Sequence, residues 1–333
     1  MKPAKHLNRR GMRPALRRAR ERGVAVITAL LLTTLAVTLV ASLFWQQQVQ
    51  VRSMENQRLH LQTKWILRGA IDFTSLLMQQ DGIDHALNTS LTHFWNAPLA
   101  ETRLDQYIER ERIEGENFQA TLSGRVTDAS SRYNLTNLAD KRVPNPDQAA
   151  ILARLLRHLQ LDPALAARAA RAMANTQPAP LNADGTPLVL PGQVPVQGAP
   201  LALVHVEDLA SIPGFTPEVV AKLREFVIVL PKPSAVNVNT APPEVLAALI
   251  DTYTLAQGNA LVARRKQADW RTDAEFVAAL GGPQPVAGSA VVRSDYFLIQ
   301  SRIRLDRAAL DAESLIERQP GGASPVLVWV RQN

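Results

Sequence analysis

The sequence predicts an α+β fold: a long N-terminal helix packed on a small antiparallel sheet, with a large all-α insertion between strands. Three observations predict it. An uncharged apolar run, Val24 to Phe44, continues into residues 46 to 80 without a proline. Segments that alternate apolar and polar residues lie at 117–128 and again after residue 294. Between them, helix-start signals follow one another from Asn145 to Thr272.

The charge distribution defines the first element. The 333-residue chain carries a formal net charge of +7, yet nine of its 37 Lys and Arg residues lie in positions 1–23, opposed there only by Glu21. Beyond Gly23 the chain is close to neutral. The 21 residues from Val24 to Phe44 contain no charge, and their polar members are threonines and Ser42. At about 1.5 Å per residue, a helix of that length crosses the roughly 30 Å of a bilayer's hydrocarbon core. Trp45 follows where an interfacial aromatic belongs, and the basic leader stays cytoplasmic by the positive-inside rule. Three fates fit such a segment: removal as a secretory signal, retention as an uncleaved anchor, or a cut at Gly23 that leaves the span on the mature chain. Ala41 and Ser42 make a poor signal-cleavage site.

After the span, Val49, Met54, Leu59, Leu61, Trp65, Ile66, Ile71, Phe73, Leu76 and Leu77 recur at spacings of three and four, which continues the helix and packs its later turns on a domain. The run NFQATLSGRVTD, residues 117–128, then alternates Phe118, Ala120, Leu122 and Val126 as a half-buried strand does. In the next segment, SSRYNLTNL, Asn134 closes a turn through its side chain, a structural role.

Asn145-Pro146, Asp162-Pro163 and Thr216-Pro217 each supply an N-cap followed by proline at the first helical position, and Thr272 with Glu275 forms a capping box. Residues 177 to 200 make a loop with six prolines and one acid, Asp184; such length points to function or mobility. A repeat follows: Pro217-Glu218-Val219-x-Ala221-x-Leu223 returns as Pro243-Glu244-Val245-x-Ala247-x-Leu249. The paired short helices around Ile212-Pro213-Gly214-Phe215 resemble helix-hairpin-helix modules, whose loops can offer amides to phosphates. Glu207, Asp208 and Glu218 beside them would repel a nucleic-acid backbone, so no nucleic acid is expected as a partner. The tail returns to strands at SDYFLIQSRIRLD (294–306), DRAALDAESLIERQ (306–319) and PVLVWVRQN (325–333), with Gly321-Gly322 as a turn; the second of these is the middle strand of a meander.

Catalysis finds no support in the motifs. There is no cysteine and no Gly-x-Ser-x-Gly, and His60, His85, His93, His158 and His205 show neither metal-protease spacing nor an evident partner. Without disulfides, stability rests on the core, for which the residues beyond the span suffice.

The leader resembles that of a type IV prepilin: a basic segment, Arg22-Gly23, then Val24-Ala25-Val26-Ile27-Thr28. The resemblance implies that a membrane prepilin peptidase cuts after Gly23 and methylates the new amine of Val24. Most such proteins carry glutamate at the fifth mature position, where this chain has Thr28, a tip-type position lacking the usual glutamate. With Asn134, Leu135 and Leu138 in N-L-x-x-L and with VNVNTAPPEVL at 236–246, the chain resembles the K family of type II secretion minor pseudopilins, general secretion pathway protein K.

That resemblance implies a prepilin-type leader at 1–23, a transmembrane segment at 24–45, a pilin-like head at 46–146, an inserted helical domain with the helix-hairpin-helix-like repeat at 147–282, and C-terminal head strands at 283–333. It implies a non-catalytic subunit that caps the pseudopilus tip and helps initiate its assembly. Its partners would be subunits resembling I and J, and H. Its place would be the inner membrane of a Gram-negative bacterium, single-pass, with the C-terminal domain in the periplasm. The alternative is a single-span, membrane-anchored periplasmic binding module with no filament role. No cofactor is expected. Calcium belongs to the family, but the family's aspartate-rich ligand pattern is absent here and only Asp184 stands as a weak candidate.

Overall fold

The computed structural model describes residues 17–104, 119–177 and 201–332, with side chains from Gly23 onward. The chain divides into two units, Met1–Gln62 and Thr63–Asn333. The helix α1 (Arg17–Asp84) supplies the described part of the first unit and the opening turns of the second. In the first unit the apolar residues from Val24 to Phe44 are all exposed, as a segment that buries its surface in lipid must be.

The second unit holds the strands β1 (Leu99–Arg103), β2 (Ala120–Asp128), β3 (Tyr133–Asn134), β4 (Ala139–Asp140), β5 (Val143–Pro144), β6 (Val227–Ile228), β7 (Val236–Asn237), β8 (Ala290–Val291), β9 (Tyr296–Leu305), β10 (Ala308–Glu317) and β11 (Val326–Gln332). Its further helices are α2 (Pro146–His158), α3 (Leu165–Thr176), α4 (Pro217–Leu223), α5 (Pro243–Leu249), α6 (Leu255–Gln267) and α7 (Asp273–Leu280). The main sheet is antiparallel with the order β1-β2-β9-β10-β11. The meander β9-β10-β11 has β10 in its middle, as the alternation in 306–319 predicts. The edge strand β1 was not legible, because Leu-Ala-Glu-Thr-Arg is exposed at every residue but Thr102 and carries no apolar alternation.

One face of the sheet packs on α1. Leu67, Ile71 and Met78 meet Phe297, Ile299, Ile303, Leu310, Ala312 and Ile316, with Trp95 edge-on to Phe297. Not every apolar residue of the expected stripe is used: Ile71 is buried, while Trp65, Phe73 and Leu76 stay exposed. The opposite face is covered at one end by Ile228 and Leu230, which sit on Tyr296, Leu298 and Leu315. Hence β9 begins with four buried residues in a row and alternates only later.

The insertion has its own core of leucines, alanines and valines from α2 to α7. It is wider than the expected 147–282. Tyr133, Leu135 and Leu138 on one side and Val286 and Val292 on the other belong to the same core. Those flanks escape a helix-based boundary because they are single turns and two-residue ladders: β3 pairs in parallel with β6, β4 with β5, and β7 in parallel with β8.

Two start signals act differently from expectation. Asp162 Oδ1 accepts from the Ala164 amide at 2.9 Å, so it caps a single turn and α3 begins only at Leu165. Thr272 accepts from the Glu275 amide, but Glu275 reaches back to the Arg271 amide at 2.7 Å rather than to Thr272. Asn145 and Thr216 cap α2 and α4 as read, and the two repeats form α4 and α5. Gly258 lets α6 approach α5 closely, since a Cβ there would collide with the Pro243 carbonyl.

Candidate functional site

The residues singled out by the sequence lie in two places, one in each unit. In the first, Gly23 and Val24 lie inside α1. A Cβ added at Gly23 would meet nothing within 4 Å, so local packing does not demand glycine. Any cleavage at that bond would require the helix to open, which glycine eases by about 1 kcal/mol relative to alanine. Thr28 Oγ1 donates to the Ala25 carbonyl at 3.0 Å, and Thr33, Thr34 and Thr38 repeat the pattern. Each hydroxyl is therefore satisfied within its own turn, which limits the cost of placing it in lipid. Among the described residues, α1 is the one helix long and apolar enough to cross a membrane.

In the second unit a buried polar network joins the end of α1, the sheet and the insertion. Asp81 in the last turn of α1 is fully buried, and its Oδ2 accepts from Arg318 Nη1 at 3.1 Å. Arg318 also donates through Nη2 to Thr89 Oγ1 and the Ser294 carbonyl, both at 2.6 Å. Burial holds the Arg318 guanidinium below its usual range. Asp128, at the end of β2, accepts from the Ser130 amide (2.8 Å), Ser294 Oγ (2.6 Å), Asn237 Nδ2 (3.0 Å) and Thr240 Oγ1. Burial nevertheless raises its carboxyl above the ordinary carboxylate range, against the pull of these donors.

The segment VNVNTAPPEVL supplies the insertion's share. Asn237 also donates to the Thr89 carbonyl at 3.0 Å, and its Oδ1 accepts from the Asn239 amide at 2.9 Å. Asn239 brackets Trp270, donating to its carbonyl (2.8 Å) and accepting from its amide (3.0 Å). Arg265 on α6 donates to the carbonyls of Val238 and Ala241. Burial brings its guanidinium down to about 10. The motif is thus the seam between head and insertion, and its asparagines are there because only side chains that both donate and accept can satisfy so many buried backbone groups.

Histidine is where the sequence reading needs correction. His85 and His93 do have a partner: both Nδ1 atoms lie against Asp81 Oδ1, at 3.1 and 3.0 Å, and their rings stack with centroids 3.8 Å apart. The i,i+4 spacing of Asp81 and His85 was the available signal; His93 lies beyond the helix and gave none.

The other expected positions fall as follows. Asn134 accepts from the Thr136 and Leu230 amides (both 3.1 Å) and donates to the Lys232 carbonyl (2.8 Å), a structural part. Leu135 and Leu138 are core residues. Asp184 and the loop around it lie outside the described residues. A calcium ion needs several converging oxygens. Among the described residues the acids near the seam do not converge: Asp128 is saturated, Asp273 accepts from the Val292 amide, and Asp269 from Asn88.

Comparison with known proteins places these features. Two models described as type II secretion system (T2SS), protein K match residues 131–232 and 236–294, the span of the insertion and its flanks. The chain is 24% identical to a type II secretion system protein K of Pectobacterium carotovorum subsp. carotovorum, over 92% of this chain and 98% of that protein. It is 26% identical to the protein K of Pseudomonas aeruginosa, over 92% of each. Among solved structures it resembles a chain of the GspK-GspI-GspJ complex from enterotoxigenic Escherichia coli, with a TM-score of 0.57 and 19% identity over 84% of this chain and 99% of that one.

Proposed function

The chain belongs to the type II secretion system protein K family, and from that membership we propose that this minor pseudopilin caps the tip of the pseudopilus and helps initiate its assembly, as a non-catalytic subunit. The observation that carries the reading is the insertion. The described residues between 131 and 294 fold around their own core at one end of the sheet, a mass that stacked, rod-like subunits accommodate at the end of a filament more readily than along its shaft.

Thr28 supports the same place. A carboxylate in the bilayer is costly unless it meets a cation. In a filament that cation would be the amine of the subunit ahead, and a leading subunit has none ahead of it. Prepilin peptidase cuts the Gly23–Val24 bond in this scheme and methylates Val24. The mature chain sits in the inner membrane through the apolar part of α1, with its C-terminal domain in the periplasm. Its partners are the I and J subunits, by analogy with the Escherichia coli complex, and H.

The test is to express the full chain with its peptidase and the other pseudopilins, label it with antibody-bound gold and sequence its first peptide by mass spectrometry. Label at one filament end and N-methylated Val24 are expected. Label spread along the shaft overturns the tip placement. An intact leader in the presence of peptidase replaces the pseudopilin with a membrane-anchored binding module.

A further inference from the structure

We propose that Asp81, His85 and His93 form a binding site for a divalent transition-metal ion of the zinc type. One ligand atom from each lies within 4.8 Å of the others, which no other group of three His, Cys, Asp or Glu residues achieves among the described residues. Two imidazole nitrogens with one carboxylate oxygen suit zinc and its neighbours; a hard cation such as calcium selects oxygen alone.

The geometry is near what the ion needs. Bonds of roughly 2.0 Å to a tetrahedral ion put ligand atoms about 3.3 Å apart. The Asp81 oxygen already stands 3.1 and 3.0 Å from the two Nδ1 atoms. Entry of the ion requires the stacked rings, now inclined by 25°, to splay slightly.

His93 supplies the independent sign. Its side chain is 95% buried, and Nδ1 points into the cluster without a hydrogen bond of acceptable geometry, although it is 3.0 Å from the carboxylate. Leaving a buried nitrogen unpaired is unfavourable, and a metal ion would satisfy it.

The surroundings favour a defined site. Arg318 holds Asp81 Oδ2 and leaves Oδ1 turned to the histidines, the task of an outer group that orients a metal ligand. Its positive charge opposes the ion, and Asp269, which acts electrostatically on His93, offsets it in part. The loop that carries His93 is fixed by the Thr89 amide, which donates to the Val292 carbonyl at 2.8 Å. His85 is 41% exposed at its side chain and gives the ion an entry, with water as the fourth ligand. A bound ion would tie the end of α1 to the loop that reaches the insertion.

The experiment uses the full chain in detergent, stripped with chelator and titrated with cobalt(II) and zinc(II) while visible absorption and thermal unfolding are followed. One equivalent of cobalt should give the visible bands of a tetrahedral N,O site, displaced by zinc, and zinc should raise the melting temperature. His85→Ala should lose at least tenfold in cobalt affinity; because its ring also stacks on His93 and meets Asp81, its metal-free melting temperature falls as well, and the affinity is therefore read from the cobalt bands of the folded variant. His93→Ala should lose binding as well; if it fails to fold, His85→Ala alone decides. Absence of the cobalt bands in the wild-type chain, binding undiminished in His85→Ala, or an equal response to calcium would each overturn the proposal.

Discussion

Arg318 and Asp81 form an ion pair at 3.1 Å with both side chains almost wholly buried. One belongs to the segment after β10 and the other to the last turn of α1. The pair therefore closes the head at the point where the insertion leaves it. Replacing Arg318 with methionine strands the Asp81 charge, and breaking a buried pair from one side costs about 3–5 kcal/mol. Thermal unfolding of the full chain should show a large loss, and the double variant Asp81→Asn with Arg318→Met should recover part of it. A loss under about 1 kcal/mol in Arg318→Met would contradict the assignment.

Asp128 gives the stability a pH dependence. Its folded pKa is raised by burial, so folding favours the protonated form. The stabilisation from that group is fully present below its unfolded pKa, about 3.9, and is lost as pH rises through the folded value. Asp128→Asn should flatten this part of the profile. It should also cost about 1–3 kcal/mol at neutral pH, because its amide must face a donor, Asn237 or the Ser130 amide. Parallel stability profiles for the two chains above pH 4 would refute the assignment.

Asn237→Ala removes the amide that donates to the Thr89 carbonyl and accepts from the Asn239 amide, leaving both backbone groups without that partner, while Asp128 Oδ2 keeps Ser294 and Thr240. A loss of roughly 2–4 kcal/mol is expected, at about 1–3 kcal/mol for each buried group left unpaired. Hydrogen exchange should accelerate first along β7 and the residues around Thr89. Unchanged protection there would show that the seam is held by apolar packing alone.

Gly23→Val should leave the precursor uncut. Valine takes away glycine's backbone freedom, so the helix opens less readily for the proposed peptidase, and its side chain fills the space glycine leaves. Immunoblots of cells carrying the peptidase should show only the longer form. Normal processing of the variant would place the cut elsewhere.

If the chain is cut after Gly23 as proposed, Thr28→Glu puts an acid at the fifth position of the cut chain. If that position is occupied at the tip, the new carboxylate lacks an amine to meet and carries the cost of an acid in the membrane. Fewer filaments, or label moving into the shaft, are the expected outcomes of gold labelling. Filaments of unchanged number with label still at one end would argue against any role for this position.

Much of the fold was legible because it is written locally. A greasy run of fixed length, a basic flank, strand alternation in β9 and β10 and the caps Asn145 and Thr216 each depend on residues a few positions apart, where chain geometry dictates which side chains share a face. The edge strand β1 was not legible, since an exposed strand needs no apolar period. The limits of the insertion were hidden for a related reason: two-residue ladders such as β7 with β8 are too short to leave a pattern.

The seam was legible only in part. VNVNTAPPEVL stood out, but nothing in it told which groups Asn237 and Asn239 would satisfy. Arg318 meets Asp81 across 237 positions of chain, and His93 meets the same carboxylate from beyond the helix. The sequence established the membrane-length helix, the strands and the helical insertion, because periodicity and capping act over a few residues. The buried contacts among Asp81, His93, Asp128, Asn237 and Arg318 came from the folded chain, because a polar group removed from water must find its partner wherever packing brings one, and sequence distance has no bearing on that requirement.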